Sequence, residues 1–415
     1  MPREIKSPSV RGVALAALNH WHETDEHAEN IIQRLAARHN LAPRDRAFLN
    51  ALVLGVLRNG SLLDHWIDEL RSGKVDEETQ MILRLGLCQV LILDVDPHAA
   101  VNETVNLTKR ARGFVNAILR RADRERDSLL QATKELPLDA RYSLPDFLIE
   151  KWKSAFGPDN TTNLAAWTNE PAVTFVRTNK LIDGAEEKIA ALDGVTAVAG
   201  FDGFFQCESV PFEALDAGLC YAQDPSTSLA PRLLAPQPGE SVLDACAAPG
   251  GKAAILAELM QNNGHLVCAD SLEQRLEKMS GNLERLGVTI AEATLIDWKS
   301  SPNFDEKFDK ILVDVPCSNT GVLRRRVDVR WRLDESVFAE MQALQLRITK
   351  NALTALKPGS TLVYSTCSIE REENEDLVKL LVDQSPGLTL EEERRTLPYE
   401  DSVDGSYCAK LRLSR

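Results

Sequence analysis

The sequence predicts an α/β protein: an all-α bundle and a small α+β module, followed by a doubly wound, mostly parallel sheet. Three observations carry this. Residues 9–140 place apolar side chains at three-to-four spacing with almost no β-branched alternation. From Ser241 onward, apolar runs ending at Asp244, Asp270, near Asp297, Asp314 and Thr366 alternate with helical segments that follow Gly251, Ser271, Val337 and Glu370. The first of these units, Ser241 to Met260, reads as strand, tight turn of small residues, then helix. Such a turn lets backbone approach a ligand and aims unpaired helix N–H groups at it.

A length of 415 residues suits two or three domains, here placed at 1–140, 141–235 and 236–415. No apolar run approaches the roughly 18 residues of a membrane span, so no membrane association is expected. The start, Met1 to Pro8, lacks the charged-then-apolar layout of a secretory signal. Eight cysteines are scattered without a C-x-x-C pair or a histidine cluster. That disfavours a disulfide framework and a metal site, and it fits a reducing cytoplasm. The formal net charge of −14 argues against a nucleic-acid partner. Residues 1–150, however, hold 20 basic and 22 acidic side chains, so the excess acid lies downstream.

Within the first region, helices are expected around Val10–Leu18, Ile31–Ala37, Ala47–Leu57, Leu62–Leu70, Met81–Leu93 and Val101–Lys109. Pro43 to Asp45 and Asn59 to Ser61 separate them. A basic cluster follows, with Lys109, Arg110, Arg112, Arg120, Arg121, Arg124 and Arg126. It reads either as a phosphate-binding patch or as a solvated helix face with pairs such as Arg121–Glu125. A second cluster, Arg324, Arg325, Arg326, Arg330 and Arg332, follows the fourth strand of the sheet. In the middle region, Ala172–Arg177, Gly194–Ala199 and Gly203–Cys207 read as strands and Ala185–Leu192 as a helix, and a ferredoxin-like module is expected.

In doubly wound sheets, ligands bind outside the carboxyl ends of the strands, and here five strands end in polar or reactive residues. Asp270 is placed to accept hydrogen bonds from ribose hydroxyls, or else to cap the next helix. Asp297 suits an adenine amino group, or again a cap. Cys317 and Cys367, at neighbouring strand ends with polar neighbours, would share one crevice. Cys88, Cys207, Cys220, Cys268 and Cys408 read as small buried hydrophobes. A cysteine–histidine hydrolase is disfavoured, because His265, the one histidine of this region, sits at the wrong end of its strand.

Two resemblances follow from these motifs. Arg11–Leu18, Asp45–Phe48, Ala100–Thr108 and Gly113–Leu119 resemble NusB-like RNA-binding domains, which implies RNA docking for this half. Cys246-Ala-Ala-Pro-Gly-Gly-Lys252, Asp314-Val-Pro-Cys317 and Ser365-Thr-Cys367 resemble the motif set of RNA cytosine-C5 methyltransferases, with Gln223–Ser226 and the stretch from Asp404 to Leu411 in support. Together they resemble the bacterial small-subunit rRNA cytosine-C5 methyltransferase B (Sun/Fmu-type) family. The resemblance implies a Rossmann-like domain that holds S-adenosylmethionine through Cys246, Ala247, Ala248, Pro249, Gly250, Gly251, Lys252, Asp270, Asp297 and Asp314. It implies Cys367 as nucleophile, Cys317 as an aid to product release, and Asp314 as a hydrogen-bonding partner of the base. Cys246 becomes a lining residue.

The implied substrate is an unpaired or flipped cytosine of ribosomal RNA, handled by a monomer in the cytoplasm without an obligate protein partner. Lys109, Arg110, Arg112, Arg324, Arg325, Arg326 and Arg330 are expected to contact RNA, and Trp331 either to stack on a base or to pack in the core. A transfer-RNA substrate and a non-catalytic RNA-binding or assembly factor are the alternatives. Val315 and Asn319 depart from the small residues usual in that family, and both are expected to flank the pocket.

Overall fold

The computed structural model describes residues 9–300 and 307–415, so the opening stretch read for a secretory signal lies outside the described residues. The chain forms two compact units, Met1–Glu170 with Leu323–Asp334, and Pro171–Val322 with Glu335–Arg415.

The first unit is helical. Side-chain caps start several of its helices: Ser9 accepts from the Gly12 amide, Asp76 from Thr79 and Asp96 from Ala99. Pro43 and Pro97 occupy first-turn positions, where a missing N–H has no cost. Leu18, Leu49, Leu52, Leu63, Trp66 and Leu85 belong to one apolar core; each buried aliphatic side chain contributes about 1.5–3 kcal/mol. The helix expected over Val101–Lys109 runs from Pro97 to Val105. Beyond it the chain turns, and Thr108 Oγ1 accepts from the Ala111 amide just ahead of helix Arg112–Arg124.

The boundary expected at 140 moves to Glu170. Helices Asp146–Phe156 and Pro158–Asn169 bury Leu148, Ile149, Trp152 and Leu164. Ser143 Oγ accepts from the amides of Ser61 and Leu62, and so caps helix Gly60–Leu70. Residues 141–169 thus complete the helical unit.

The second unit opens with a small antiparallel sheet of β1 (Thr174–Thr178), β2 (Val195–Ala197), β3 (Phe204–Cys207) and β4 (Cys220–Ala222) in the order β2-β3-β1-β4. Helices Ala185–Ala190 and Phe212–Asp216 connect them in a ferredoxin-like β-α-β-β-α-β arrangement. The three-residue β4 is too short to leave a periodic signal.

The larger sheet holds β5 (Ser241–Asp244), β6 (His265–Asp270), β7 (Ala291–Leu295), β8 (Phe308–Asp314), β9 (Leu356–Thr366), β10 (Leu388–Thr396) and β11 (Ser406–Leu413). Their order is β10-β11-β9-β8-β5-β6-β7. β5 to β9 pair in parallel, while β11 returns antiparallel against β9 and β10. The central strands are buried on both faces, as Leu312, Val313, Val363 and Tyr364 show. The order in which successive strands are added reverses between β5 and β8, which opens a crevice at their carboxyl ends. Two sequence expectations shift: the third strand ends at Leu295, leaving Asp297 in the following loop, and the helix expected near Glu370 begins at Glu375.

Candidate active site

The crevice starts at Asp244, the last residue of β5, which is 1% exposed. Burial, with Asp314 nearby, pushes its carboxyl up to about 7, against the pull of Lys252. The Cys246 amide favours the ionised form, yet neither carboxyl oxygen closes a hydrogen bond. A buried acid of this kind suits a cationic ligand group. The loop that follows is held by the Trp298 indole, which donates to the Ala245 carbonyl at 2.5 Å, and by Arg275, which donates to Ala248 at 2.9 Å. Gly250, at φ +102°, turns the chain into helix Gly251–Leu259; a side chain there would press on Met279 at 3.1 Å. Cys246 lines this turn, and burial together with Asp244, Asp314 and Asp270 drives its thiol far up, out of reach as a nucleophile.

Asp270 and Asp297 stand at or just beyond the next two strand ends, and each side chain accepts from the amide two residues on, as in an Asx turn. Asp270, 3% exposed, accepts from the Leu272 amide at 3.2 Å and faces Arg275 at 3.3 Å. The exposed Asp297 accepts from the Lys299 amide at 3.0 Å. His265 sits at the opposite end of β6, paired with Glu292.

β8 and β9 pair in parallel with Asp314 opposite Ser365, so the residues after each strand emerge side by side. Lys252 Nζ meets Asp314 Oδ2 at 2.6 Å. Desolvation works against the ammonium, but Asp314, Cys367 and Asp244 outweigh it and keep Lys252 charged. Cys317 Sγ and Cys367 Sγ lie 3.1 Å apart, Cys317 buried and Cys367 partly exposed. The hydrogen bond to Cys367, followed by burial and the Glu373 charge, pushes the Cys317 thiol well up, so it keeps its proton. Asn319 accepts from the Cys367 thiol at 3.3 Å and donates to the Cys317 carbonyl at 2.8 Å. The sequence marked Asn319 only as a departure from a small residue; its left-handed φ of +60° and these contacts make it part of the site. Val315, the other departure, packs into the core beneath the sheet. The helix that follows Cys367 starts at Glu375, eight residues on, too far for its dipole to act on the thiol. Gly321 lets the Cys317 loop close on its neighbours: a Cβ there would sit 2.6 Å from the carbonyls of Cys367 and Gly405.

The two basic clusters part ways. Lys109, Arg110, Arg112, Arg120 and Arg124 are exposed on the helical unit, while Arg121 pairs with Glu125 at 2.9 Å. In the second cluster, Arg324 and Arg330 are 1% and 0% exposed, which overturns their assignment to RNA. Arg330 donates to the carbonyls of Arg58, Tyr142 and Thr168 and to Asn169 Oδ1, and Arg324 lies 3.8 Å over the Trp167 ring. Arg332 donates to the carbonyls of Thr24, Asp25 and Glu26, and Trp331 donates to that of Leu57. Segment Leu323–Asp334 is therefore a clasp built into the helical unit. Arg326 remains exposed and Arg325 half-buried.

Comparison with known proteins agrees with this geometry. The family described as 16S rRNA methyltransferase RsmB/F matches residues 231–412, and the NusB family matches residues 8–124. A Salmonella paratyphi B protein named ribosomal RNA small subunit methyltransferase B is 32% identical, with 98% of this chain and 99% of that protein covered. Its namesake from Klebsiella pneumoniae is 32% identical with 98% of each covered. The crystal structure of PH0851 shares the fold over 98% of this chain and 99% of its own, with a TM-score of 0.78 at 24% identity. The chain belongs to the ribosomal RNA small subunit methyltransferase B family.

Proposed function

We propose that this chain methylates C5 of a cytosine in 16S ribosomal RNA, using S-adenosylmethionine and a transient bond between Cys367 and C6 of the base. One observation carries the reading: two thiols 3.1 Å apart at adjacent strand ends, beside the Lys252–Asp314 pair. C5 of cytosine is too electron-poor to attack a methyl group directly. Addition of the Cys367 sulfur to C6 moves electron density to C5 and makes it nucleophilic. Cys317 holds its proton, which leaves the more exposed Cys367 as the attacking sulfur.

S-adenosylmethionine, when bound, supplies an electrophilic methyl group. The residues that would hold it are the turn Cys246–Lys252, with Asp270 toward the ribose and Asp297 toward the adenine. The buried Asp244 carboxyl fits a cationic donor. Asp314, oriented by Lys252, hydrogen-bonds N3 and the exocyclic amine and stabilises charge on the ring during attack. After transfer, loss of the C5 proton and departure of the Cys367 sulfur restore the ring double bond, and Cys317 acts at that release.

The target cytosine must be unpaired or flipped out to reach Cys367. Lys109, Arg110 and Arg112 offer exposed cations for phosphates on the helical unit. The protein works as a monomer in the cytoplasm. Cys367→Ala should abolish methylation, and retained activity would sink the assignment. Bisulfite sequencing of total RNA with and without the gene identifies the base; a mark lost from transfer RNA instead would redirect the substrate.

A further inference from the structure

Beneath the two cysteine loops lies a buried acid that the chemistry above does not use. Glu373 is 0% exposed and ends the short helical turn Arg371–Glu373. Its Oε2 accepts from the Ser318 amide at 3.0 Å and from Gln345 Nε2 at 2.7 Å. Its Oε1 accepts from the Ser368 hydroxyl at 2.7 Å and from the Ser318 hydroxyl. Ser318 follows Cys317 in the chain and Ser368 follows Cys367, so one carboxylate holds both loops by the residue next to each thiol. Gln345 extends the brace by donating to the Pro316 carbonyl at 3.0 Å, on the other side of Cys317. Tyr364 Oη donates to the Glu373 carbonyl at 2.6 Å and fixes the acid from β9.

A buried carboxylate is costly unless its oxygens are fully hydrogen-bonded, and four donors meet that need here. A purely structural acid has no reason to divide those donors between the two thiol-bearing loops. We infer that Glu373 is a positioning residue that sets the distance between Cys317 and Cys367, and thereby the rate at which the Cys367 adduct forms and is released. The rate consequence rests on the proposed cytosine chemistry; the distance consequence does not. Displacing a reacting group by about 1 Å can cost about a hundredfold in rate.

Gln at position 373 can keep one oxygen on the Ser318 and Gln345 donors and turn its amide toward the two rotatable hydroxyls. Glu373→Gln should therefore retain most of the single-turnover methylation rate, whereas Glu373→Ala should lower it about a hundredfold at unchanged affinity for RNA and S-adenosylmethionine. The alkaline limb of the rate profile should move slightly to lower pH in Glu373→Gln, because one contribution that raises the Cys317 thiol, after its hydrogen bond to Cys367 and its burial, is gone. Phenylarsine oxide, which bridges two adjacent thiols, reports the spacing without any RNA. Mass mapping should find the 317–367 bridge quickly in the wild type and in Glu373→Gln, and about tenfold more slowly in Glu373→Ala. If Glu373→Ala does not fold, Ser318→Ala and Ser368→Ala take its place, each expected to slow both readouts.

Unchanged bridging and unchanged rate in these variants would overturn the inference, as would a rate loss accompanied by weakened S-adenosylmethionine binding. Bridging that depends on Glu373, in a protein that marks no cytosine, would uphold the spacing role and reject the cytosine reading.

Discussion

Cys317 and Cys367 stand 50 residues apart in sequence and 3.1 Å apart at sulfur, because β8 and β9 are parallel neighbours in register. If Cys367 adds to C6 and Cys317 acts at release, removal of the second thiol should trap the intermediate. Cys317→Ala is expected to accumulate a protein–RNA adduct, seen as a shifted band on a denaturing gel. Cys367→Ala should show none, and indistinguishable gels would reject distinct roles for the pair.

Asp244 makes stability pH-dependent. Its folded carboxyl is raised from 3.8 to about 7, so between those values the native state holds a proton that the unfolded chain has lost. Stability then falls as pH rises through this window, by roughly 4 kcal/mol in total, and levels off above it. Urea unfolding from pH 4 to 8 should show this slope in the wild type and a smaller one in Asp244→Asn. A cation bound against the acid would also favour its ionised form, so S-adenosylmethionine should bind with proton release below pH 7. Calorimetry in buffers of different ionisation enthalpy measures that release.

Arg330 and Arg112 should fail in opposite ways. Arg330→Ala removes a buried guanidinium from three carbonyls, that of Thr168 buried and those of Arg58 and Tyr142 partly so, and is expected to cost about 3 kcal/mol of stability in the helical unit. Arg112→Ala, at an exposed site, should leave the unfolding midpoint within the usual surface range. It should instead weaken RNA binding and reduce the salt slope by about 1. Thermal melts and a salt titration of RNA affinity separate the two.

Cys246 is partly exposed, yet burial of its thiol and the acids around it keep it protonated. Iodoacetamide at pH 8, followed by peptide mapping, should label Cys367 well before Cys246. Equal labelling would contradict the assignment of the inert and reactive thiols.

Much of this molecule is legible in the chain because local patterns report local physics. The small-residue turn at Cys246–Lys252, the acids and cysteines at successive strand ends, and the helical period of residues 9–140 each depend on neighbours within a few positions. The charged edge strand β10 and the three-residue β4 carried no such pattern, one because most of its residues face solvent and the other because it is short.

The sequence by itself determined which chemistry is available: two thiols, a set of acids, and a turn suited to a small ligand, all on one edge of a parallel sheet. The tertiary structure alone decided which groups serve it. The arginines after β8 looked like a phosphate contact because they adjoin the Cys317 motif, but the chain enters the helical unit at Leu323 and Arg324 and Arg330 are used up on its carbonyls and its tryptophan. Glu373 stands among other acids in the chain, and only folding places four donors around it. Proximity in the chain follows bonds, whereas burial and hydrogen-bond partnership follow packing between segments 50 to 300 residues apart.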